Sequence, residues 1–369
     1  MKYDYLIVGA GLFGSTFAHL ATKAGKRCLV VERRNHTGGN LFCENVSGIT
    51  VHRYGPHIFH TSNRNVYDFV KSLVEIQPFI NMPLARYNEK TFSLPFNMNT
   101  FRQMWGVSTV EDVKRIIKEQ SQCVKEIRNL EDKAISLVGR DIYETLIKGY
   151  TEKQWGMKCT ELPASIISRI PVRFTYDNNY YNDLYQFIPA GGYNSLISKL
   201  LEGSHVVLGV DFNKEKHSLQ ADADKIVYTG RIDSLFDYKY GVLPYRSLNF
   251  KLREYNTKFF QECAVVNNTE ADVPFTRSIE HKYFDYACSR DDFTLVSFEY
   301  PDGYAGRDEK EAYYPVNIPE SEALHSAYLN ELKEHPNVII GGRLAEYKYY
   351  DMDDTILSAM NLWKEDSKC

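Results

Sequence analysis

Hydrophobic positions in this chain change period several times, and each change marks an element. Tyr5 to Val8 is an apolar run of strand length that enters Gly9-Ala10-Gly11-Leu12-Phe13-Gly14. Apolar or small residues then recur at Phe13, Phe17, Ala18, Leu20, Ala21 and Ala24 until Gly25, a helical spacing. A second apolar run, Cys28 to Val31, ends on Glu32. The pattern predicts strand, helix, strand. Val66 to Val74 reads as a helix. Pro78, Pro83 and Pro95 break Gln77 to Asn99 into loops with one or two short strands. From Thr109 to Tyr150 apolar residues such as Val113, Ile117, Ala134, Leu137, Leu146 and Ile147 recur at three-or-four spacing, which predicts two to four helices.

The second half alternates again. Tyr193 to Leu201 reads as a helix, Val206 to Val210 and Lys225 to Gly230 as strands, and this alternation returns the chain to the first domain. Arg246 to Leu252, Cys263 to Asn267 and Phe293 to Phe298 are short β-like runs that predict an antiparallel sheet. A helix from Ser321 to Leu332, a strand from Val338 to Ile340, Gly341-Gly342 and a final helix after Asp351 to Asp354 complete the chain.

The glycine turn carries the first chemistry. In a G-x-G-x-x-G between strand and helix, Gly9 permits a tight turn. Gly11 admits a pyrophosphate against bare backbone, and Gly14 lets helix and strand pack closely. The helix N-terminus offers free N–H groups and a partial positive charge. Glu32, ending the second strand, is placed for ribose hydroxyls. Gly38-Gly39 just beyond extends this site in a manner common among proteins that bind extended FAD, and Gly341-Gly342 before an acidic helix start forms a second cofactor-facing corner.

Composition narrows the class. The chain has 369 residues with 44 basic and 48 acidic side chains, a net charge of −4, which argues against a general nucleic-acid binder. Seven scattered cysteines without a C-x-x-C fit reduced thiols in a cytoplasm rather than disulfides or zinc. His57 and His60 lack nearby partners for a metal, so no metal site is expected. No secretory signal is read at the start, and no apolar stretch is long enough to span a bilayer. The 27 tyrosines allow either ordinary packing or a pocket that stacks on rings and bonds phosphates. Arg169 and Arg173 flank a Pro-containing loop, and a guanidinium fork there suits closure over a diphosphate. Arg277 is a second candidate phosphate ligand, and Trp155 could stack on a base.

Taken together, GAGLFG with Glu32, HTGGN, YGPHIFHT, LPFNMNTFRQMWG, GYTEKQWG, SRIPVRF, PAGGY, YRSL, FTRSIEH, YYPV and GGRLAEYKYYDMDDTI resemble UDP-galactopyranose mutase of the bacterial type over nearly the whole chain. The resemblance implies an α/β protein. A split Rossmann-like FAD-binding domain would span 1–76, 186–240 and 316–369. A helical domain would span 99–150, and an antiparallel β-sheet domain 77–98, 151–185 and 241–315. It implies an FAD-dependent isomerase, active with reduced flavin, that interconverts UDP-galactopyranose and UDP-galactofuranose by ring contraction through a flavin N5–sugar adduct. An external reductant such as NAD(P)H, a cytoplasmic homodimer without membrane insertion, and a role in supplying cell-surface polysaccharide follow from the same resemblance. It leaves acceptance of the N-acetyl sugar open.

Motif matching also implies roles. Arg169 resembles a mobile-loop arginine that closes on the diphosphate, and Arg277 a fixed arginine opposite. Tyr180, Tyr314 and Tyr349 resemble phosphate-contacting tyrosines, with Tyr314 preferred to Tyr313. Tyr150 and Trp155 resemble uridine-side aromatics, Asp351 an acid near sugar and flavin, and His60 a histidine beside the flavin. The implied catalytic set is Arg169, Arg277, Tyr314, Tyr349, Asp351 and His60. Arg246 and Asn267 join Tyr150, Trp155, Arg169, Tyr180, Arg277, Tyr314 and Tyr349 in the substrate set. The implied cofactor set is Gly9, Gly11, Phe13, Gly14, Glu32, Arg33, Gly39, Asn40, Leu41, His57, Arg343 and Met352. Asn249, after YRSL, departs from the basic residue expected there. Competing readings are an amine-oxidase-type flavin oxidase, a non-catalytic sugar-nucleotide binder and an NAD dehydrogenase. The paired arginines and tyrosines speak against the first, and the second glycine corner against the last.

Overall fold

Five short strands from three distant parts of the chain form one parallel sheet. The computed structural model describes residues 2–220, 223–304, 306 and 310–368, without the side chains of Ser168, Arg169, His217 and Gln220. Strand β1 (Tyr3–Val8) lies at the sheet's centre, between β2 (Cys28–Glu32) and Ala223–Tyr228, with His205–Leu208 and Val338–Ile340 at the edges. Register is set by apolar side chains: Ile7 stands beside both Val30 and Val227. All five residues of β2 are buried, as a parallel sheet covered on both faces requires. Helix α1 (Leu12–Lys23) covers one face and packs against the helices Asn194–Leu201 and Met352–Asp366. Tyr5, Phe17 and Trp363 close that contact edge to face.

A second, seven-stranded sheet runs in the order Tyr314–Pro315, Tyr245–Tyr255, Thr294–Gly303, Arg277–Glu280, Val265–Asn268, Leu84–Tyr87, Lys90–Ser93. It is antiparallel as expected except for one parallel pair, Val265–Asn268 with Leu84–Tyr87. That exception arises where two distant segments meet, joined by no hairpin. Helices Val110–Gln120 and Leu130–Val138 pack with Phe101, Ile142 and Leu146 into a separate core beside this sheet.

The short strands Cys43–Val46, Ile49–His52, Phe59–Thr61 and Tyr185–Pro189 were not read from the sequence, nor were several helical segments. Met98–Trp105 is a helix, capped by Asn97 with Thr100 at one end and stopped by Gly106 in the left-handed conformation (φ 72°) at the other. Those capping signals were visible, but the preceding prolines masked them. Phe212–Gln220 is a helix whose polar sequence hides its period. Within the predicted helical stretch, Tyr143–Lys148 is a π-helical segment that leads into the helix Gly149–Trp155.

Candidate active site

Two cavities lie side by side, and the glycine turn floors the first. Gly9 adopts φ +105°, and a Cβ there would sit 2.2 Å from Thr229 Oγ1. At Gly14 a Cβ would lie 2.1 Å from the Gly9 carbonyl oxygen, so only glycine lets α1 seat on the turn. At Gly11 the Cβ direction is open. The first backbone bond of α1 runs from Ser15 N to Gly11 O, and no side chain caps the helix. The amides of Leu12, Phe13 and Gly14 therefore have no carbonyl within the helix, and all three residues line the cavity. Glu32 is buried, accepting from Ala10 N and Arg34 N at 2.9 Å each, which braces the turn and leaves carboxylate lone pairs at the cavity wall.

All twelve residues of the cofactor set line this cavity: Gly9, Gly11, Phe13, Gly14, Glu32, Arg33, Gly39, Asn40, Leu41, His57, Arg343 and Met352. Arg34, Thr229, Asn213, Glu311 and Tyr313 line it too and were not singled out. Glu311 pairs with both Arg33 and Arg34 over one end. Arg34 Nη1 and Arg343 Nε are buried without a partner among the described residues, so each has a donor to give. His57 is kept neutral: burial, then the neighbouring His52 and Arg343, push it down to about 3. Free helix amides, a terminal carboxylate and unsatisfied guanidinium donors fit the pyrophosphate and ribose of an extended dinucleotide.

The second cavity is lined by Tyr150, Gln154, Trp155, Ile166, Arg246, Arg277, Asn317, Tyr314 and Tyr349, among others. Arg277 anchors it. Its Nε lies 3.0 and 2.9 Å from the two oxygens of Glu299, which also accepts from Thr276 Oγ1 at 2.9 Å. Burial opposes the Arg277 charge, but Glu299, Tyr150 and Tyr314 outweigh it and hold the guanidinium protonated well above its usual range. Burial raises the phenols of Tyr150, Tyr180 and Tyr314, so at neutral pH they are O–H donors around a cation. Glu299 was not singled out, although a lone acid directly after the run Thr294 to Phe298 signals a buried charge in need of a partner.

The cavities adjoin at two neighbouring residues. Tyr313 lines the first and Tyr314 the second, because successive residues of an extended segment point to opposite sides. Arg343 completes the seam. Its Nη2 donates to Tyr313 O at 2.9 Å, and its Cζ lies 4.9 Å over the Tyr349 ring and 5.8 Å over that of Tyr314.

Among the described side chains of the implied catalytic and substrate sets, four lie outside the lining of both cavities. Tyr180 nevertheless feels Arg277 and Asp351 electrostatically. Asp351 stands at the N-cap of the last helix. Asn267 is the cross-strand neighbour of Arg277. His60 bonds Asp183 Oδ2 at 2.7 Å through Nδ1 and stacks on Tyr181 at 3.7 Å. Arg246 lines the second cavity but spends its Nε on Gln154 O at 2.9 Å, capping the helix Gly149–Trp155. Arg173 is turned to its own loop, donating to Asn179 O and Asn182 Oδ1, and does not flank the cleft. The side chain of Arg169 lies outside the described residues. No cluster of His, Cys, Asp or Glu able to hold a metal occurs among the described residues, and none of their helices is long and apolar enough to cross a membrane.

A cavity fitted for a dinucleotide on a parallel sheet, opening beside a cationic, tyrosine-lined cleft, defines a dinucleotide-binding protein whose second site suits an anionic ligand. Comparison with known proteins makes the class specific. The family model for UDP-galactopyranose mutase matches residues 145–349, and that for an NAD(P)-binding Rossmann-like domain matches residues 7–73. A probable UDP-galactopyranose mutase of Klebsiella pneumoniae is 36% identical over 97% of this chain and 93% of its own length. A dTDP-fucopyranose mutase of Escherichia coli is 35% identical over 96% of each. The crystal structure of a reduced UDP-galactopyranose mutase superposes with a TM-score of 0.78 at 15% identity, covering 100% of this chain and 96% of that one. A putrescine oxidase shares the fold at a TM-score of 0.57 and 13% identity, with both chains covered completely. The chain belongs to the UDP-galactopyranose mutase family, a family of isomerases, and its cofactor is FAD.

Proposed function

We propose that the chain interconverts UDP-galactopyranose and UDP-galactofuranose in the cleft beside the FAD cavity. The observation that carries this is the permanently charged Arg277, which shares its cavity with Tyr150, Tyr314 and Tyr349 and is separated from the cofactor cavity only by the Tyr313–Tyr314 step. Reduced FAD, when bound, supplies the nucleophile for the anomeric carbon. The chain's own residues do the rest. Arg277 takes the diphosphate charge that grows as the sugar–phosphate bond breaks, and because Glu299 orients it beforehand, it needs little rearrangement at that moment. Tyr314 and Tyr180 remain protonated and donate to phosphate oxygens. Tyr150 and Trp155 hold the uridine by ring contact, so the released UDP stays close enough to return. Arg169 closes on the diphosphate. His60 would stand beside the bound flavin, and Asp351 near both sugar and flavin.

The same reading carries a cytoplasmic homodimer, kept reduced by an external donor such as NAD(P)H and supplying furanose units for a cell-surface polysaccharide. The E. coli relative, similar over 96% of its length, favours a second substrate, the dTDP-fucose pair. The test is to incubate the dithionite-reduced protein separately with UDP-galactofuranose, its N-acetyl analogue and dTDP-fucofuranose, then separate the products. Conversion of UDP-galactofuranose by the reduced protein alone is the expected result. Preferential conversion of the dTDP sugar moves the assignment to the second reading, and equal rates with oxidised protein overturn both.

A further inference from the structure

Lys153 lies on the same short helix as Tyr150 and Trp155, yet it does not line the cleft. Its Nζ donates to the carbonyl oxygens of Asn268 at 2.9 Å, Val273 at 2.8 Å and Phe275 at 3.1 Å. An ammonium has three N–H donors, and all three end on a single turn. Asn268 N closes that turn onto Thr276 O at 2.8 Å, and the next residue is Arg277.

Two further contacts lock the helix to the turn. Gly149, one helical turn before Lys153, brings the backbones so close that a Cβ would lie 2.3 Å from Thr269 O. Thr269 Oγ1 donates to Thr145 O at 2.9 Å, a carbonyl of the π-helical segment, where the helix is locally widened. The helix bearing the aromatic wall and the turn bearing the arginine are therefore one unit with a cation at its centre.

We propose that Lys153 is a positioning residue: it fixes the separation between Tyr150 and Trp155 on one side and Arg277 on the other, so that base and diphosphate of one ligand are gripped at a set spacing. The inference rests on the sugar-nucleotide reading of the cleft. The groups facing the ammonium are Glu270 and Asp272 of the turn; they oppose the burial that brings Lys153 down to about 8. Above that pH the grip loses its charge and one donor.

The test titrates UDP onto the FAD-loaded wild type and the variants K153M and K153R, with flavin content as the check on folding. K153M is expected to bind UDP about tenfold more weakly and to raise KM for the sugar nucleotide more than it lowers kcat. K153R, which keeps charge and donors, recovers affinity. Wild-type affinity falls as pH rises past 8, whereas that of K153R does not. A flavin-loaded K153M that binds UDP as the wild type does overturns the inference and leaves the sugar-nucleotide reading intact. A wild type that binds no UDP overturns both. Where K153M does not fold, the pH curves decide, and parallel curves for wild type and K153R overturn the inference.

Discussion

Arg277 and Glu299 stand directly opposite each other on neighbouring antiparallel strands, and the guanidinium grips a carboxylate that has no solvent exposure. Removing one partner of such a pair leaves a buried charge uncompensated, at a cost of about 3–5 kcal/mol. Arg277→Met is therefore expected to lose that much stability to urea and nearly all turnover. Adding Glu299→Gln restores most of the stability but none of the turnover, which separates Arg277's chemistry from its place in the fold. Recovery of turnover in the double variant would refute the assigned role.

Tyr314 and Tyr313 are adjacent but face different cavities. Tyr314→Phe removes a hydroxyl next to Arg277, and a hydrogen bond to a charged group contributes about 1.5–3 kcal/mol. Steady-state kinetics should show kcat/KM falling by roughly ten- to a hundredfold. Tyr313→Phe should leave sugar-nucleotide affinity unchanged, since its ring lines the cofactor side. An equal loss in both variants would count against the division between the two cavities.

Gly14→Ala places a methyl 2.1 Å from the Gly9 carbonyl oxygen, in backbone that has no flexible side chain to move aside. The helix must lift from the glycine turn, and its free amides move away from the pyrophosphate. The flavin-to-protein absorbance ratio after purification is expected to fall at least about tenfold, as it would for a lost anion site. A fully yellow Gly14→Ala protein would contradict the fit described for this cavity.

His52 and His281 are both buried behind the cofactor cavity, and burial lowers both, His52 to about 4. A histidine whose folded pKa is depressed contributes stability that is fully present above its unfolded value near 6.5. That stability is lost as pH falls, because the unfolded chain binds protons that the folded chain refuses. From pH 6.5 to pH 4 the loss from His52 alone is roughly 3 kcal/mol. Urea midpoints should fall steadily across that window, and less steeply in His52→Gln. A midpoint that stays level from pH 7 to pH 4.5 would exclude this account.

The parts of the molecule that could be read from the chain are those where chemistry leaves little choice. Gly9 and Gly14 announce themselves because no other residue fits the turn. Glu32 follows from its place at a strand end. The roles of Lys153 and of the Arg246 Nε could not be read in the same way, and Glu299, though signalled by its place in the strand, was passed over. A lysine or arginine between polar neighbours looks like a solvated one, and only the fold shows Lys153 wrapped by a distant turn and Arg246 spent on a helix end. Arg173 erred in the other direction. Its spacing from Arg169 matched a diphosphate clamp, but the nearby carbonyl of Asn179 and side chain of Asn182 claimed it first. The helix Phe212–Gln220 was hidden because its one buried apolar residue, Phe212, sets no period.

The parallel sheet joins β1 and β2 to His205–Leu208, Ala223–Tyr228 and Val338–Ile340, and the cavity wall is finished by Arg343, Met352 and Thr355. A nascent polypeptide on the ribosome thus exposes the glycine turn long before the segments that complete its pocket have been translated. Flavin loading must wait until the segment through Thr355 has been made, and the early strands have no partners on either side of them until the later strands follow.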